Sequence, residues 1–198
     1  MKKILIIILF VIKASAQTPV IELDSWNGDI TAGMYIKDSP NTLNQFEGTW
    51  LYTDGNTSLK IVLVKKIKDG DVVSYFEDIL IGEYQYIENG VEKFNSLSNL
   101  NIVHSNVYNS HNIVGNHFHT YRSPFNEVTP GEKILKLHFT DNCGGSLYVR
   151  KKMVGAQQAI QIYRELPSIM SVSEPGDPPQ GTIPLIKPIV EFTLLKQP

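Results

Sequence analysis

Three of the five histidines fall within nine residues, at His111, His117 and His119. His117 and His119 stand two apart in a run that alternates apolar and polar residues. On a strand, period two turns both imidazoles to one face. Paired strand histidines are a common start to a metal site, with His111 or His138 as a third ligand and zinc as the natural ion. The competing reading is plain strand polarity facing solvent. His111-Asn112 is polar loop, and no Asp or Glu lies within that stretch.

Other chemistry finds less support. Glu47, Asp78 and Glu83 are carboxylates on or beside expected strands, but no spacing pairs them for acid-base work. The chain has no Gly-x-Ser-x-Gly elbow, phosphate loop or dinucleotide fingerprint. Cys143 is the only cysteine. It cannot form an internal disulfide, and Asp141-Asn142-Cys143-Gly144-Gly145 reads as a turn holding a small apolar side chain rather than a nucleophile partnered by His138. The aromatic residues form a better lead. Tyr75, Tyr84, Tyr86, Tyr121 and Tyr148 occupy positions where an inward side chain is expected, and each buried hydroxyl needs a partner. They would either line a cavity for a small amphipathic ligand or belong to an ordinary filled core.

The elements that must position these residues are strands. Gly48 to Thr53 and Ser58 to Lys68 flank the turn Asp54-Gly55-Asn56, and Leu59, Ile61 and Leu63 share one apolar face. Val72 to Glu88 is long enough to require a bend near Asp78 or Gly82. Glu88-Asn89-Gly90 leads into Val91 to Ser96. Asn95 to Asn112, with six asparagines, reads as a loop with one embedded strand at Asn101 to Val107. Further strands are expected at Ile113 to Arg122, Ile134 to Thr140, Ser146 to Val154 and Ala159 to Glu165. Leu166 to Pro188 carries six of the eleven prolines and reads as an extended connection. Ile189 to Lys196 returns to a strand pattern, with Val190, Phe192 and Leu194 on one face, and is expected to dock on the sheet. Residues 17–43 form an N-terminal arm with room for at most one short strand. Eight or nine strands at roughly ten-residue intervals predict an all-β, antiparallel up-and-down meander.

The beginning of the chain reads as a leader. Lys2 and Lys3 precede the apolar run Ile4 to Ile12, and Ala14-Ser15-Ala16 supplies a small-x-small cleavage site. The run is well short of the roughly 20 residues a spanning helix needs. Cleavage after Ala16 is expected, giving a secreted or periplasmic protein with no membrane span. It would take away three of the 18 basic residues and none of the 20 acidic ones, moving the formal charge from -2 to -5. Such a chain has no electrostatic attraction to nucleic acid.

Gly48-Thr49-Trp50, at the start of the first clear strand, resembles the Gly-x-Trp of the lipocalin and calycin families. That resemblance implies a closed barrel over residues 44–165 in which Trp50 plugs one end. It also implies an arginine from a late strand, Arg150 or Arg164, lying across the indole. The leader, Phe46-Glu47-Gly48-Thr49-Trp50, Asp78-Ile79-Leu80-Ile81-Gly82-Glu83-Tyr84 and the Leu194-Leu195-Lys196-Gln197-Pro198 ending together resemble a group of exported Bacteroidota proteins of unknown function. This second resemblance implies export and fold but no activity. The expectation is an exported, non-enzymatic binding module for a small amphipathic molecule. The alternatives are an interaction or structural domain with a filled barrel, partnered by another exported protein, and a zinc protein using the strand histidines.

Overall fold

The computed structural model describes residues 18–71, 73–104, 107, 110–119, 123–140, 144–165 and 191–198. The leader, Tyr121, Cys143 and the proline-rich connection lie outside the described residues. Among the described residues there is no α-helix, and eleven strands run in the order β1 (Val20–Glu22), β2 (Met34–Lys37), β3 (Gly48–Asp54), β4 (Thr57–Gly70), β5 (Tyr75–Glu88), β6 (Val91–Asn95), β7 (Ile113–His119), β8 (Ile134–Phe139), β9 (Ser146–Val154), β10 (Gln157–Glu165) and β11 (Glu191–Lys196). Strands β3, β4 and β5 pair in sequence, as do β7 through β11. β11 pairs back to β3 through Leu195 with Leu51 and Lys196 with Trp50, and β5 pairs with β7. The result is a closed, antiparallel, eight-stranded barrel of the lipocalin-like type. Closure leaves no edge among those eight strands.

The apolar faces explain the closure. Leu59, Ile61 and Leu63 of β4 point inward, as their alternation required, and Phe192 and Leu194 bring β11 into the same core. Every one of the eight strands contributes to it, from Trp50 on β3 to Ile160 and Ile162 on β10. Trp50, Tyr84 and Leu80 are fully buried in it, so side chains fill the barrel.

β5 is a single strand whose pairing with β4 is irregular opposite Asp78, one of the two places expected to bend. It continues unbroken for 14 residues, and what changes along it is the neighbour. One edge pairs with β4 along its length, with a register shift between Lys66 and Asp69. The other meets β2 at Tyr75 to Glu77, then β7 at Leu80 to Gly82, then β6 at Gln85 to Glu88. Gly82 makes the middle crossing possible. A Cβ there would lie 2.6 Å from Leu63 Cδ2 and 2.9 Å from the Val62 carbonyl oxygen.

The arm carries two strands rather than at most one, and both pair in parallel, β1 with β2 and β2 with β5. Its 3-10 turn Thr42–Gln45 sets Leu43 and Phe46 into the core at the end where β3 begins. The segment between β6 and β7 also departs from expectation. Its regular element is a 3-10 turn at Leu97–Asn101, and no strand occurs among the described residues of 101–107. Leu100 and Val107 cover Val64, Ile79, Ile81 and Val114 on the outer wall, a second small core. A segment whose apolar residues pack inward on a wall already paired elsewhere has no ladder to join.

Both faces of β5 are therefore covered, and three of its four acidic residues, Glu77, Asp78 and Glu83, are buried. Each is satisfied, as burial demands. Glu77 Oε2 accepts from Asn116 Nδ2 at 2.6 Å on β7. Asp78 accepts from the Tyr35 hydroxyl at 2.6 Å and from the backbone of Asp38 and Lys68, each at 3.0 Å. Burial, and then this carboxylate, hold the Tyr35 hydroxyl protonated well above its ordinary range. Glu83 pairs with His111 Nδ1 at 2.9 Å and accepts from Asn112 Nδ2 at 2.6 Å.

Two substitutions test this core. Trp50→Ala removes a large buried aromatic and should cost about 3–5 kcal/mol. Glu83→Ala leaves His111 and Asn112 without their acceptor and should cost roughly 3–5 kcal/mol, with Glu83→Gln less damaging. Urea unfolding followed by far-UV circular dichroism measures both, and near-unchanged midpoints would contradict the assignments.

Candidate binding cleft

Because neighbouring barrel strands alternate in direction, the β4–β5, β7–β8 and β9–β10 connections share one end of the barrel. The arm enters β3 at that same end. There the 3-10 turn Leu23–Ser25 approaches the end of β7, and a cleft of about 650 Å³ opens between them. Leu23, Trp26 and Phe118 give it apolar surface, while Asp24, Lys133, His117 and His119 give it polar groups. An ion pair between Asp24 and Lys133 ties the arm to the β7–β8 connection. Lys133 Nζ also lies 5.5 Å from the centre of the Phe118 ring. Trp26 donates its indole N–H to the Asp29 carbonyl at 2.9 Å, and its ring stands 6.5 Å from Tyr75. Apolar walls with a few convergent polar groups are what small-molecule sites require.

The histidines divide between two places. His117 and His119 both line the cleft, and His119 meets Tyr148 edge-on at 5.1 Å. His111 does not join them. It is buried against Glu83 on the outer wall near His104, whose ring is 5.1 Å away. His138 is also elsewhere, with Thr140 Oγ1 3.3 Å from its Nε2. Among the described residues no three His, Cys, Asp or Glu side chains gather as a metal site. The carboxylate absent from the sequence around His111 comes instead from β5, 28 positions away.

The four candidate tyrosines among the described residues do not surround one cavity. Tyr84 and Tyr86 are packed in the barrel core, Tyr84 stacked on Phe94 at 4.6 Å and tilted against Phe139 at 5.2 Å. Tyr75 packs on the core beside Trp26. Tyr148 faces outward, with Phe125, Ile134 and Tyr163, and donates to Glu165 at 3.0 Å.

The Gly-x-Trp element has the expected burial but a different cation. Trp50 donates its indole N–H to the Phe46 carbonyl at 2.8 Å, and Lys196 Nζ lies 5.3 Å from its ring. Gly48 explains the fit, because a Cβ at that position would stand 3.1 Å from Lys196 Cε. The arginines serve other rings. Arg150 covers Phe125 at 4.5 Å and Arg164 covers Phe139 at 5.2 Å. Lys196 reaches Trp50 because the register of β11 sets these two residues opposite each other. Sequence reasoning overlooked Lys196, Leu23 and Trp26. The signal available was the arm's single tryptophan, three residues after Leu23.

His119 carries a pH dependence with a definite sign. Burial first, then Lys136 and His117, lower its pKa, against a smaller opposing effect of Glu165. The unfolded chain therefore takes up a proton that the folded protein resists. Stability from this group should be present at pH above the ordinary histidine range and fall as pH drops through it. Thermal melts between pH 8 and 5 should show that slope, and His119→Gln should reduce it. An unchanged slope would remove His119 as its source.

A family model matches residues 1–197. No curated protein and no solved structure matches the chain. The chain therefore belongs to a family of unknown function (DUF6705).

Proposed function

We propose that the protein is an exported, non-enzymatic binding module that holds a small amphipathic molecule in the cleft between the arm and β7. The observation that carries this reading is the division of space. The barrel interior is occupied by Trp50, Leu80 and Tyr84, each fully buried, whereas the outside of the same end has a recess of about 650 Å³. Trp26 and Leu23 offer an apolar wall, His117 and His119 offer hydrogen bonds to a polar head, and Lys133, paired with Asp24, is the cation beside them. A non-catalytic role agrees with the use of the carboxylates. Glu47 accepts from the Lys65 backbone at 2.7 Å, and Asp78 and Glu83 are committed to holding segments together. Export rests on the basic, apolar and small-residue sequence of positions 1–16. The filled core also suits the second reading, a domain that meets another exported protein through its surface.

The test uses 1-anilinonaphthalene-8-sulfonate, an amphipathic anion. Binding should raise its fluorescence with energy transfer from tryptophan. Affinity should fall by about tenfold, the equivalent of about 1.4 kcal/mol, in Trp26→Ala and in Lys133→Glu, with circular dichroism confirming that both variants are folded at the temperature of the assay. Equal affinity in both variants would contradict the cleft. Mass spectrometry of protein recovered after expression in its native host should give Gln17 as the first residue, and an intact leader would contradict export by cleavage.

A further inference from the structure

The barrel end that holds the cleft has a second property, carried by different residues. Its hairpin connections expose large apolar side chains among lysines. On the β4–β5 hairpin Ile67 is 73% and Val73 84% exposed, next to Lys66 and Lys68. On the β9–β10 hairpin Met153 and Val154 are exposed directly after Lys151 and Lys152, which are exposed as well. Val128, in the β7–β8 connection, is the fifth such residue at this end. At the opposite end, among the described residues, the hairpin connections at 54–57 and 88–91 place Asp54, Glu88 and a single exposed large apolar residue, Val91.

The acidic side chains near the tips are Asp69, Asp71, Glu127 and Glu132, and Asp71 and Glu132 are committed. Asp71 accepts from the backbone of Val73 at 2.8 Å and of Ser74 at 2.7 Å, which shapes the β4–β5 turn. Glu132 accepts from the Thr129 backbone and pairs with Arg150 at 3.7 Å. Lys151 and Lys152 have no acidic partner among the described residues.

We propose that this end docks on an anionic lipid surface, with Ile67, Val73, Met153 and Val154 entering the headgroup boundary and Lys151 and Lys152 meeting lipid phosphates. On the β9–β10 hairpin, Lys151 and Lys152 directly before the protruding Met153 and Val154 give charge complementarity to such a surface, and shallow apolar burial at the tips supplies the rest.

Co-sedimentation of the purified protein with vesicles tests this. Phosphatidylcholine vesicles containing 30% phosphatidylglycerol should bind the protein, pure phosphatidylcholine vesicles should bind it far less, and added salt should release it. Lys151→Glu with Lys152→Glu, and separately Met153→Asp with Val154→Asp, should each weaken binding on the order of tenfold. Val91→Asp, at the other end, should leave it unchanged. All these residues are exposed, and melting temperatures confirm folding. No binding to anionic vesicles, including the outcome in which the same tips bind only a protein, overturns the proposal, as does equal loss in Val91→Asp. Probe binding in the cleft is measured without lipid, so failure of one reading is distinct from failure of the other.

Discussion

The structure depends on how β5 is held. One strand pairs with β4 along one edge and divides the other among β2, β7 and β6. Three unrelated segments must then arrive in register along a strand covered on both faces. Apolar contact alone does not set register, because it is non-directional. Glu77, Asp78 and Glu83 supply the direction. They fix β7 through Asn116, the arm through Tyr35 and Asp38, and the end of the 96–112 segment through His111 and Asn112. A buried carboxylate without its partner is costly, so each segment is specified as much by what happens in its absence as by the bonds it makes.

The closed end follows the same logic of paired requirements. The arm supplies Leu43 and Phe46 to the core, and the Phe46 carbonyl takes the Trp50 indole N–H. Asp38, which accepts from the backbone of Thr42 and Leu43, also pairs with buried Lys65 at 2.8 Å. The last strand pairs beside β3, and Lys196 covers Trp50 where Gly48 leaves room. Residues near the two termini of the described chain thus meet on one indole. Filling the barrel in this way leaves its outer surfaces for any recognition the protein performs.

Much of the fold was legible because alternation and turn chemistry are local. Leu59, Ile61 and Leu63 announced an inward face, and Asn89 and Gly90, both at positive φ, announced the hairpin between β5 and β6. The docking of the terminal strand was also legible from Phe192 and Leu194. The arm was not, since its strands are three and four residues long and exist only as β1 against β2 and β2 against β5. Nor was the partner of His111, because a contact between residues 28 apart leaves no periodic trace. At the candidate site, His117 and His119 were found by spacing, but their neighbours Leu23, Trp26 and Lys133 come from two other parts of the chain. The choice of Lys196 over an arginine depended on the register of β11, which no motif encodes.

The division between a filled interior and a binding exterior is tested most directly by chemical-shift mapping of isotope-labelled protein titrated with 1-anilinonaphthalene-8-sulfonate. Shifts should concentrate at Trp26, His117, His119 and Lys133, with Leu80, Tyr84 and Ile160 unmoved. Large shifts at those interior residues, with the cleft silent, would mean that the barrel opens to hold its ligand inside.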